Sequence, residues 1–133
     1  MNRLFILLVA SIASLTISQN SLAEGCTTTD GGHPGSGYVG YFEKGKSIAF
    51  CRQVGDWGPG STFVRCSIVD INSNVCELPK DSKPLADSGY PNSSKWEDAN
   101  GDGFIDFCRR VGDGAGFTRC NLGPDFGKEK DEH

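Results

Sequence analysis

The sequence predicts an all-β fold: a small, disulfide-stapled antiparallel β-domain of two hairpin repeats. Three observations carry that expectation. A nine-residue segment recurs at a spacing of 57, its apolar residues alternate with a period of two, and paired cysteines flank the turn in each copy. No segment of the mature chain carries convincing helical periodicity.

With 133 residues, of which 37% are hydrophobic and 23% charged, the chain fits one small folded domain and excludes a large multidomain enzyme. Seventeen acidic against 13 basic residues give a net charge of -4, so the basic footprint of a duplex nucleic-acid binder is missing. Arg3 precedes an apolar run from Leu4 to Ala13, and Ser21-Leu22-Ala23 supplies the small-residue pattern of a cleavage site. Residues 1–23 are therefore expected to be a signal peptide, directing a secreted or periplasmic protein. The run is too short for the ~20 apolar residues that span a bilayer, so no membrane insertion is expected.

The repeat sets the organisation of the rest. Ile48-Ala49-Phe50-Cys51-Arg52-Gln53-Val54-Gly55-Asp56 returns as Ile105-Asp106-Phe107-Cys108-Arg109-Arg110-Val111-Gly112-Asp113. The match continues from Gly60 to Cys66 and from Gly114 to Cys120, once the insertion Trp57-Gly58-Pro59 is allowed in the first copy. Ile48, Phe50 and Val54 share one face, as do Ile105, Phe107 and Val111, which is the pattern of half-buried strands. Hairpins are predicted over 47–68 and 104–122. Residues 24–127 form the two-repeat domain, with repeats over about 38–78 and 95–123, and an irregular stretch over 79–94 joins the hairpins. The charged tail 128–133 is expected to be solvated and frayed.

Six cysteines in a short exported chain argue for three disulfides. Cys51 with Cys66, and Cys108 with Cys120, flank their turns almost symmetrically, at the short separations a cystine needs. Cys26 with Cys76 then remains as the third bridge. Zinc is disfavoured, because there is no Cys-x-x-Cys pair and His33 and His133 lie at opposite ends of the mature chain.

One run carries coordination chemistry. Asp98, Asn100, Asp102 and Asp106 occupy loop positions one, three, five and nine, with Gly103 at position six for the sharp turn. Oxygen side chains at this spacing, with the Phe104 carbonyl and water, suit Ca2+ better than Mg2+, which demands a strict octahedron. An ion-free Asx-rich turn has the same composition. The loop is no EF-hand, because position twelve is Arg109 and a strand follows. A shift of 57 places Tyr41, Glu43, Gly45 and Ala49 at the ligand positions, so the first copy carries no such site.

The segment from Trp96 to Arg109 resembles an FG-GAP (VCBS-like) repeat, with the Asp-x-Asn-x-Asp-Gly-x-x-Asp loop leading straight into a strand as its specific part. The resemblance covers residues 95–122 well and 38–68 in part. It implies propeller-blade-like hairpins with calcium in a β-hairpin loop, held by Asp98, Asn100, Asp102, Phe104 and Asp106. That family closes several blades into a ring, which two repeats cannot do, so either the domain is a compact pair or several chains form a homo-oligomer.

The remaining residues point to recognition. Arg52, Arg65, Arg109 and Arg119 at matching strand positions are expected to pair with carboxylates or carbonyls, or to recognise an anion. Trp57, at a hairpin tip, is the ligand-binding candidate: it could stack on a sugar or anchor a partner, or fold back over the hairpin. Tyr38, Tyr41 and Trp96 are expected between the repeats, and the run Gly31–Gly37 reads as a flexible loop. Every cysteine has a disulfide role and His33 has no motif around it, so no enzyme is expected. The sequence reading is a secreted calcium-binding recognition or adhesion module for an extracellular glycan or protein, with a secreted inhibitor or effector acting on a host or competitor protein as the alternative.

Overall fold

The computed structural model describes residues 32–73 and 79–133. The predicted signal peptide and the predicted Cys26–Cys76 bridge lie outside the described residues. Strands β1 (Tyr38–Glu43), β2 (Ser47–Gly55), β3 (Thr62–Asp70) and β4 (Lys80–Asp81) form one four-stranded antiparallel sheet in sequential order. Strands β5 (Lys95–Glu97), β6 (Asp106–Val111), β7 (Phe117–Leu122) and β8 (Lys128–Glu132) form a second sheet of the same topology. The described residues contain no helix.

The sheets reproduce each other pair by pair. Cys51 faces Cys66 and Arg52 faces Arg65 in the first; Cys108 faces Cys120 and Arg109 faces Arg119 in the second. Disulfides join Cys51 to Cys66 and Cys108 to Cys120, across Cα separations of 4.1 and 4.0 Å. The match reaches a fourth strand that alternation does not reveal: Arg65 faces Asp81 on β4, and Arg119 faces Asp131 on β8. The expected frayed tail is therefore an ordered edge strand. Its five side chains are all exposed, so no apolar pattern announced it.

The glycine-rich run read as a flexible loop is also ordered from Gly32 onward. His33 donates its N–H to the Gln53 carbonyl (2.8 Å), as Tyr90 does to Arg110 (2.9 Å). The Ser36 hydroxyl donates to the His33 carbonyl and accepts the Gln53 N–H, while Ser93 does the same with Tyr90 and Arg110. Gly32 and Gly89 sit at φ +79° and +75°, pressed against Arg52 and Arg109, and a Cβ on Gly32 would lie 2.6 Å from that of Arg52. Both the conformation and the close approach require glycine.

The core lies between non-equivalent faces of the two sheets. The first contributes Ala49, Cys51, Val64, Cys66 and Ile68, with Phe42; the second contributes Phe107, backed by Trp96. Tyr38 stacks on Trp96 with centroids 5.5 Å apart, and Trp96 meets Phe107 at 4.8 Å. Tyr41 instead points outward, 51% exposed, because it falls on the other face of β1. For the same reason Ile48 and Phe50 are only half-buried, whereas Phe107, the counterpart of Phe50, is fully buried. Burying each such large apolar side chain contributes roughly 1.5–3 kcal/mol. Two backbone hydrogen bonds also join the sheets, from Lys44 N–H to the Gly103 carbonyl (2.8 Å) and from Ile105 N–H to the Phe42 carbonyl (2.9 Å).

Candidate functional site

Between β5 and β6 the chain runs through residues 98–105, where the first sheet makes the tight turn Lys44-Gly45-Lys46. Asp98 organises this loop. One carboxylate oxygen accepts the N–H of Gly101 (2.8 Å) and Asp102 (3.1 Å), and the other accepts that of Gly103 (2.8 Å). Asp102 accepts the Phe104 N–H (3.0 Å) and contacts the Asn100 amide (3.3 Å). Gly103, at φ +92°, makes the expected sharp turn.

Asp106 works from below. It is fully buried, and its two oxygens accept the N–H of Ala99 (2.7 Å) and of Gly123 (2.8 Å), tying the loop to the β7–β8 turn. Burial pushes its carboxyl above the ordinary value against those two hydrogen bonds, and the charges of Asp102 and Asp98 add to the rise. Burial would also raise Asp98, but the three backbone N–H donors outweigh it and hold Asp98 below the ordinary value. Asp98, Asn100 and Asp102 are thus brought together with their oxygens in one loop. Asp106 does not join Asp98 and Asp102 in a group with all ligand oxygens within 4.8 Å of one another. The Phe104 carbonyl stays outside the two inter-sheet hydrogen bonds, which use Gly103 and Ile105. These donors are all oxygen, the set that suits a hard cation. Glu97, Cys108 and Cys120 also place ligand atoms within 4.8 Å, yet the two sulfurs are joined to each other and offer no thiolate.

The opposite end of the sheets carries Trp57. It follows Gly55 at the end of β2, is 46% exposed, and meets His33 edge-on at 4.9 Å. The tip is clamped: Ser88 accepts the Gly58 N–H (2.8 Å) and donates to the Gly58 carbonyl (2.9 Å), while Gly60 donates to Leu85 (2.9 Å). Trp57 therefore leans on His33 and still shows an open face. The second sheet, without the insertion, has Tyr90 at the same end, donating its hydroxyl to Gly112.

The four arginines take structural roles. Each guanidinium lies over the Phe two residues before it on its own strand, at 4.9–5.7 Å from the ring centroid. Arg65 and Arg119 form side-on pairs with Asp81 and Asp131, each with a shortest contact of 2.7 Å. Arg109, wholly buried, pairs with Asp87 at 3.1 Å and donates to Asn121 and to the Arg119 carbonyl. Asp87 and Ser88 escaped the sequence reading, which weighed His33 only as a zinc ligand or a catalytic base. Their signal was the recurrence of Asp30-Gly31-Gly32-His33-Pro34 as Asp87-Ser88-Gly89-Tyr90-Pro91 at the same spacing of 57.

No family model, curated protein or solved structure matches the chain. The two disulfides are those of a protein from an oxidising compartment. No helix among the described residues is long and apolar enough to cross a membrane.

Proposed function

We propose that this protein is a secreted recognition module of the FG-GAP type, binding an extracellular glycan or protein through the Trp57 hairpin tip, with Ca2+ fastening the opposite end. The observation that carries the recognition role is the posture of Trp57: an aromatic with one open face, on a tip pinned by Ser88 and Leu85. A rigid exposed aromatic loses little conformational freedom when it stacks on a sugar ring or fills a partner's pocket.

Calcium enters as a fastener and not as a ligand bridge. The loop that would hold it, through Asp98, Asn100, Asp102 and the Phe104 carbonyl, also supplies Gly103 and Ile105 to the inter-sheet hydrogen bonds. Asp106, engaged by Ala99 and Gly123, would reach the ion through water, as the ninth position of such loops often does. The ion would offset the mutual repulsion of three neighbouring carboxylates.

The test is a glycan array and an extracellular-protein panel probed with the oxidised protein beside Trp57→Ala. A ligand retained by the parent and lost by the variant, with the melting temperature unchanged, supports the reading. Ligands bound equally by both proteins would remove the tip from the function. One tight protein partner with no glycan, still dependent on Trp57, would specify a protein-directed effector.

A further inference from the structure

A cavity of about 560 Å³ opens where β3 and β4 of the first sheet meet the β7–β8 turn of the second, and neither Trp57 nor any residue of β6 lines it. Its floor is apolar: Phe42, Cys66, Ile68 and Phe126. Its rim carries Lys80 and Lys83, with Asp81 and Asp125 beside them. The two rim carboxylates are engaged already, Asp81 side-on with Arg65 (2.7 Å) and Asp125 as acceptor of the Gly127 N–H (3.0 Å). Among the described residues Lys83 pairs with no carboxylate.

A second observation marks the same wall. Phe126 is buried yet held at φ +60°, in the left-handed region, by its N–H to Leu122 (2.8 Å) and by the Asn121 amide on its carbonyl (2.8 Å). Non-glycine residues in that region are strained and collect at ligand sites, where the surroundings over-determine them.

We propose that this cavity binds a small amphipathic anion, an alkyl or aryl body carrying one carboxylate, with the apolar part on Phe42, Ile68 and Phe126 and the carboxylate at Lys80 and Lys83. Pockets of this size, mostly apolar with a few convergent polar groups, are the usual form of small-molecule sites.

Decanoate is the probe. Trp96 lies 6.2 Å from the Phe126 ring, and in a Trp57→Phe background it is the sole tryptophan, so its fluorescence reports on the cavity. The expected result is saturable binding near one equivalent by fluorescence and calorimetry, weakened at least tenfold in Lys80→Gln/Lys83→Gln and by raised salt. Decanol should bind at least tenfold more weakly than decanoate, and Ile68→Phe should weaken both by filling the floor. The two lysines are exposed, so their variant keeps the fold even if Ile68→Phe does not. Absence of saturable binding, or equal affinity of decanoate for the parent and the lysine variant, overturns the proposal.

Discussion

Arg109 stands directly opposite Arg119 across β6 and β7, and Asp87 bridges the two, 3.1 Å from one guanidinium and 2.9 Å from the other. Like charges facing each other across a ladder are destabilising on their own. Asp131 and Glu129 on β8 complete the cage, with Asp131 at 2.7 Å from Arg119. The segment preceding Gly89 is thereby fastened to the sheet that follows it. Burial lowers the pKa of Arg109, and the attractions of Asp87 and Glu129 oppose that shift and compensate the buried charge.

Asp87→Ala should therefore cost more than an ordinary surface change. It leaves a fully buried Arg109 with only the more distant Glu129 at 3.8 Å as a carboxylate partner. Removing one member of a buried pair costs roughly 3 kcal/mol or more, which urea unfolding would register as a lower midpoint at unchanged slope. A loss below about 0.5 kcal/mol, the range of neutral surface changes, would show that the bridge is immaterial.

Acid sensitivity should trace partly to Asp131. Its carboxyl is held below the ordinary 3.8, chiefly by the side-on hydrogen bonds from Arg119. A depressed folded-state pKa gives stability that is complete above the ordinary value and lost as pH falls through the folded one. Melting curves of the parent and Asp131→Asn should differ at neutral pH and converge in strong acid. A gap that stays constant down to strongly acid pH would contradict this.

Calcium should raise the melting temperature, with binding near one equivalent by calorimetry. Asp102→Ala should abolish both effects, since Asp102 supplies a loop oxygen without anchoring the fold elsewhere. The ligand should bind the native state alone, so the gain should grow with the logarithm of free calcium. A parent protein indifferent to calcium would reduce the loop to an Asx-rich turn.

Removal of one hairpin disulfide should be costly but local. Cys108→Ala/Cys120→Ala opens a loop with a sequence separation of 12, worth about 3 kcal/mol by chain entropy. The Cys51–Cys66 bridge spans 15 and should be worth the same within error. Thermal unfolding of each double variant under oxidising conditions measures both. Equal melting temperatures for parent and variants would mean that strand pairing alone fixes the hairpins.

Much of this molecule was legible without coordinates. The recurrence at 57 gave two equivalent hairpins, and cysteines flanking each turn gave both described cystines, because directly opposed residues on antiparallel strands are already at bonding distance. The spacing of Asp98, Asn100 and Asp102 gave a loop whose side chains gather around its own amides.

Tertiary structure decided the rest. The period of two in Ile48, Phe50 and Val54 names a face but not its neighbour, and packing of non-equivalent faces put Phe107 in the core while leaving Phe50 half-covered. The fourth strands stayed hidden because β4 has two residues and β8 five exposed ones, held by hydrogen bonds and by Arg65 and Arg119 with no apolar signature. Asp106 read as a fourth ligand, whereas burial and two amide donors make it first an anchor between the loop and the β7–β8 turn. Local spacing determines which groups a segment offers; only the packing of the sheets determines which are already engaged, where Trp57 stands relative to the loop from Asp98 to Asp106, and where a cavity remains.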